Sequence, residues 1–120
     1  MAAPHDRPTI EELVEAVREW LENDVMSSTE GRLRFHARVA VNMLAMVERE
    51  LAVGGAQADR HAARLAQLGV IDDTELAAAI AERRFDDRAE EVRDLLRASV
   101  VDKLSVANPK YLADADASAR

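Results

Sequence analysis

Polar side chains capable of chemistry interrupt the apolar pattern of this 120-residue chain at a few places. In the stretch GRLRFHARVAVNML, residues 31–44, His36, Arg38 and Asn42 stand inside what otherwise reads as an apolar helix. Ser99 and Lys103 are four residues apart, the spacing at which an amine could take the proton of a serine nucleophile, but no oxyanion element accompanies them. Gly54-Gly55 could offer free amides to a phosphate, yet no GxxxxGK[ST] follows, and a helix C-cap with a turn accounts for the pair. Metal binding would need converging ligands. The histidines are His5, His36 and His61, there is no cysteine, and neither HExxH nor the ExxH pair of di-iron bundles occurs. No catalytic residue, metal or cofactor is expected from these residues.

A helix advances 100° per residue, which sorts the polar groups by direction. Phe35, Val39, Ala40, Met43, Met46 and Val47 define one apolar arc, with His36 near its middle and Arg38, Asn42 and Arg49 in a row along its border. Asp24 continues the stripe of Ile10, Val17 and Leu21, and Lys103 falls within the stripe of Val92, Leu96, Val100 and Ala107. Three helices thus each direct one ionisable group inward. Burying such a group unpaired would cost several kcal/mol, so Asp24, His36 and Lys103 are expected to form a buried polar network. The alternative is a pocket lined by these residues and Asn42, accepting an acyl-CoA or another anion. The Arg38/Asn42/Arg49 row could grip a CoA phosphate or a partner's carboxylates. Asn108-Pro109-Lys110-Tyr111-Leu112 reads as a hook folding Tyr111 and Leu112 back on the helices, or as a docking peptide.

The elements that must position these groups are all helical. Thr9 with Glu12 forms a capping box, and Ile10, Leu13, Val14, Val17, Trp20 and Leu21 follow at the 3.6 period. VMSSTEG, residues 25–31, reads as a connection. A long second helix is expected from Arg32 to Val53, ended by Gly54-Gly55, and a third from Ala56 to Leu68, closed by Gly69. Asp72 with Glu75 caps a short fourth helix reaching Arg84, and Asp87 with Glu90 caps a fifth reaching Ala107. Proline disfavours helical geometry in the residue before it, so Asn108-Pro109 stops that helix. The expectation is an all-α, compact bundle of four to five helices with a long central second helix. Residues 1–112 would form a single helical domain and 113–120 a disordered C-terminal tail.

Composition bounds the function. Hydrophobic residues make up 48 %, but 23 of the residues are alanine and the aromatics are only Trp20, Phe35, Phe85 and Tyr111. So lean a set of large apolar side chains favours a chain completed by a partner or by further copies of itself. The formal charge of −7 repels phosphate backbones and anionic lipid, which disfavours nucleic-acid and membrane-surface binding. MAAPHDRPT has no apolar run for a signal peptide, and no stretch approaches a membrane span, so a cytoplasmic location is expected.

Three pieces carry a resemblance: PHDRPTIEELVEAVREWLENDV, GRLRFHARVAVNMLAMVEREL and LLRASVVDKLSVANPKYLA, with FHARVAxN and NPxYLA as their recognisable cores. They resemble a family of small bacterial helical proteins encoded beside aminoglycoside-phosphotransferase-like kinases and acyl-CoA dehydrogenases. The family is similar to the small accessory protein of the levulinate-pathway hydroxyacyl-CoA kinase. The resemblance covers most of residues 4–113 and is least clear from Ala56 to Glu91. It implies a non-catalytic accessory subunit that binds a phosphotransferase-like kinase and supports (hydroxy)acyl-CoA catabolism. It lends no catalytic residue.

Overall fold

The computed structural model describes Pro4 and residues 6–119, so His5 lies outside the described residues. Every regular element among them is helical. α1 spans Ile10–Trp20 and runs without a break through a π-helical turn, Leu21–Val25, into a short α2, Met26–Ser28. α3 is Gly31–Gln67, α4 Asp73–Ala81, α5 Ala89–Ala107 after a 3₁₀ turn at Asp86–Arg88, and α6 Pro109–Ala119.

The long helix is longer than the glycines suggest. Gly54 and Gly55 lie inside α3 instead of ending it. Two interior glycines cost roughly 2 kcal/mol relative to alanine, but breaking the helix would forfeit intrahelical bonds on both sides, and the flanks are rich in Ala, Gln, Arg and Leu. The helix stops at Gly69, whose φ of +76° suits a residue without Cβ. Gly69 N–H donates to Ala66 O at 3.0 Å and Val70 N–H to Leu65 O at 3.0 Å, the double bond of a Schellman motif. α4 ends likewise around Arg83 at φ +63°, with Arg84 N–H donating to Ala79 O at 3.0 Å.

Other boundaries follow their capping chemistry. Thr9 Oγ1 accepts from Glu12 N–H at 3.2 Å while the Glu12 carboxylate accepts from Thr9 N–H at 3.0 Å. Asp72 accepts from Glu75 N–H at 2.8 Å, as its spacing predicts, and Glu75 reaches back to Ile71 N–H at 3.0 Å. Asp87 caps nothing. It sits within the 3₁₀ turn, and α5 opens at Ala89 behind Arg88, without a side-chain cap. Asn108 and Pro109 restart the chain as well as stopping it: proline at the first helical position sacrifices no bond, and Asn108 Oδ1 accepts from Tyr111 N–H at 3.2 Å. The segment expected as a disordered tail is therefore helical through Ala119.

Two compact units can be described, residues 1–53 and 54–120. Unit 2 collects the apolar core: Leu65, Leu68, Val70, Leu76, Ala79 and Val92 are buried together, with Phe85 and Leu95 against them. Unit 1, among its described residues, buries only Ala37. Its α1 meets α3 through Arg18, which donates to Glu48 and, at 3.3 Å, to Glu22. The side of α3 carrying Glu48, with Ala37, Val41 and Leu44, is the side that loses solvent. Most of the large apolar side chains around it stay exposed.

Candidate functional site

The polar groups that converge are on α3 and α5 of unit 2. Gln57, Arg60, His61 and Arg64 recur at helical spacing along the second half of α3, and Ser99, Asp102 and Ser105 along α5. Asp102 is their centre. Its carboxylate accepts from Arg60 through Nε and Nη2, both at 3.2 Å, and from Arg64 Nη1 at 3.0 Å. Gln57 Nε2 donates to Asp102 O at 2.8 Å and Ser105 Oγ at 2.9 Å. The Arg60 bonds, with Arg64 behind them, hold the Asp102 carboxyl below its ordinary range against the opposing effect of burial, and Asp102 in turn raises Arg60. A two-pronged guanidinium–carboxylate contact fixes orientation as well as adding attraction. This seam therefore sets the register of α3 against α5.

His61 extends the seam toward α4. Its Nδ1 lies 2.7 Å from Ser99 Oγ and its Nε2 2.7 Å from Asp73 Oδ1. With the proton on Nε2, the imidazole donates to Asp73 and accepts from the Ser99 hydroxyl. That is the connectivity of a serine–histidine–aspartate relay. Three features set it apart from a working one. Ser99 lies in the interior of α5, where neighbouring amides are committed to the helix and supply no oxyanion donors. Arg64 Nη1 donates to Ser99 Oγ at 3.0 Å, occupying an electron pair that an attack would need. The cavity beside Ser99 measures about 10 Å³, the scale of a single water and too small for an acyl group. The row is a filled seam between three helices.

The residues singled out in the sequence occupy other positions. Asp24 and His36 belong to unit 1 and Lys103 to unit 2, and each of the three is exposed where the sequence reading expects it buried. The reason is directional. α3 turns Ala37, Val41 and Leu44 toward the inside, which leaves the arc of Phe35, Val39 and Met43, and His36 within it, in solvent. The π-helical turn inserts one residue per turn more than an even wheel allows and re-aims Asp24. Arg38 and Asn42 are exposed on α3 and Arg49 is half-buried. Lys110 and Tyr111 are exposed on the first turn of α6, where Leu112 is half-buried.

Sequence reasoning singled out Ser99 but missed Arg60, His61, Arg64, Asp73 and Asp102 as a group. The available signal was matched polar periodicity, 57/60/61/64 against 99/102/105, on two helices long enough to lie side by side.

Unit 2 also has a shallow groove of about 260 Å³ beside the core, lined by Ile80, Phe85, Asp86, Ala89, Val92, Arg93 and Leu96. Among the described residues, no three histidine, aspartate or glutamate side chains are arranged to hold a metal ion, and no helix is long and apolar enough to cross a membrane.

Fold and site together define an all-helical chain whose polar centre is a structural seam between helices. The chain belongs to the family described as domain of unknown function DUF6285, whose model matches residues 27–111. No curated protein and no solved structure matches it.

Proposed function

We propose that this chain is a non-catalytic interaction subunit, acting in the cytoplasm in support of a phosphotransferase-like kinase of (hydroxy)acyl-CoA catabolism. The observation that carries the interaction role is the surface of unit 1. Trp20, Leu33, Phe35 and Met43 are 57 %, 67 %, 63 % and 62 % exposed. An apolar surface of that extent marks a site of association. α3 is apolar toward α1 and again on its outer arc, the pattern of a helix meant to be covered on both sides. The kinase as partner is supported by the resemblance of the three sequence pieces. Arg38 and Asn42 on α3, and separately Lys110 and Tyr111 on α6, are exposed polar and aromatic groups available to such a partner; Arg49 on α3 is half-buried. Co-elution of the purified chain with a phosphotransferase-like kinase of its host tests this role. Separate elution at tens of micromolar of each protein would remove it.

A second reading, a small-molecule binding protein, is favoured by the groove of unit 2. Its lining is mostly apolar and includes Arg93 as well as Asp86, and the Arg93 guanidinium could meet the anionic end of an acyl-CoA whose acyl group takes the apolar part. A ligand specific for the folded state at a hundred times its dissociation constant stabilises it by roughly 2.7 kcal/mol. Melting the chain with acyl-CoAs of increasing length should then raise Tm by several degrees, and Arg93→Ala should abolish the rise. An unchanged Tm across the series would rule this reading out.

A further inference from the structure

We propose that α3 carries a built-in hinge at Gly54-Gly55, where the helix opens far more readily than either unit unfolds and lets the two units move separately. Among the described elements, α3 is the one that runs through both units, and the boundary between residues 1–53 and 54–120 falls at these glycines. The hinge stands whether or not unit 1 meets a partner.

A glycine inside a helix is ordinarily explained by a neighbour too close for a Cβ, by a positive φ, or by the end of the helix. None of these applies to Gly55. A Cβ placed on it would meet nothing within 4 Å among the described residues. The glycines with positive φ are Gly31 and Gly69, and α3 continues beyond Gly55 to Gln67. An alanine would fit at this position and strengthen the helix, so what glycine contributes there is ease of opening. Gly54 beside it adds a second residue of the same low propensity.

Each side of the pair is tied to its own unit. Glu48 accepts from Arg18 of α1, within unit 1. Gln57 donates to Asp102 O at 2.8 Å and to Ser105 Oγ at 2.9 Å on α5, and Arg60 and Arg64 hold the Asp102 carboxylate, all within unit 2. From Glu48 to Gln57 is about two and a half helical turns, and the glycines stand between. Ala52, Val53, Gly55 and Ala56 are exposed there, so little packing opposes a break. A helix opens first where propensity is lowest and packing thinnest, and such local openings cost less than global unfolding. An open state populated at about 0.1–10 % is enough for a binding event to select it.

Hydrogen exchange of the full chain, read amide by amide, tests the hinge. The amides of residues 55–58 donate the helical bonds that span the glycines. They should be protected roughly tenfold less than those of residues 44–48 on one side and of Leu65 and Leu68 on the other. Gly55→Ala should raise protection at 55–58 about fivefold, the effect of one glycine in a helix interior. A nitroxide on Ala63→Cys, specific because the chain has no cysteine, reads the motion. Residues 31–40 lie about 35 Å or more from it along an unbroken α3, too far to be broadened. Broadening of their resonances therefore reports opened states, and it should shrink about fivefold with Gly55→Ala. Amides at 55–58 as slow as that of Leu68 would overturn the proposal. Equal protection at 44–48 and 55–58 would overturn it too, because unit 1 would then be opening as a whole. Protection at 55–58 unmoved by Gly55→Ala would show that the opening does not pass through the glycine. An absence of broadening at 31–40 would mean that the two units stay fixed, which contradicts the hinge equally.

Discussion

Replacing Leu76 with alanine should destabilise the chain by about 3 kcal/mol, the largest effect expected of any single substitution in unit 2. Leu76 is 4 % exposed and stands among Leu65, Leu68, Val70, Ala79 and Val92. Truncation removes its transfer free energy and leaves a cavity, and such changes cost roughly 2–5 kcal/mol depending on how far the surroundings collapse. Collapse is restricted here because Ala79, on the same short helix, is fully buried and offers no longer side chain to fill the gap. Small domains have only about 5–15 kcal/mol of stability in total. Chemical denaturation should show the midpoint falling with an unchanged slope. A loss below about 1 kcal/mol would mean that this cluster is not the core of unit 2.

The second large effect belongs to the seam. Asp102→Asn keeps the shape of the side chain but withdraws the charge that Arg60 and Arg64 share, and should cost roughly 1–2 kcal/mol at neutral pH. Its pH dependence is diagnostic. Because the folded state holds the Asp102 carboxyl below the ordinary value of 3.8, the stabilisation is fully present above that value and is lost as pH falls through the depressed one. Wild type and variant should therefore differ by a constant amount between about pH 5 and pH 7, and the gap should close below about pH 3.8. A gap independent of pH down to the acid limit would mean that Asp102 does not carry the charge of the seam.

The sequence made the helical class legible through period and caps: the Thr9/Glu12 box, the Asp72 cap and the Gly69 stop were all readable from local chemistry. What it obscured was direction. The arc of Phe35, Val39 and Met43 looks like a core face because it is a strongly apolar arc of α3, and periodicity carries His36 inward with it. The face that α3 turns inside is instead made of Ala37, Val41 and Leu44, smaller side chains that let a second helix approach closely. Hydrophobicity marks the surface to be covered and does not distinguish cover by the same chain from cover by another. The seam was hidden for a related reason. Reading Gly54-Gly55 as a helix end cut α3 where its polar row begins, so Gln57, Arg60, His61 and Arg64 were assigned to a short helix with no evident counterpart. Propensity set a local cost of about 1 kcal/mol per glycine, and the continuity of the helix outweighed it.

The interaction role is tested most directly by mixing the purified full chain with the phosphotransferase-like kinase and following light-scattering mass across size exclusion together with turnover of a 4-hydroxyacyl-CoA. The expected result is one peak heavier than the kinase alone, with phosphorylation faster than the kinase achieves by itself and none from the chain alone. Two separate peaks with unchanged turnover would contradict it.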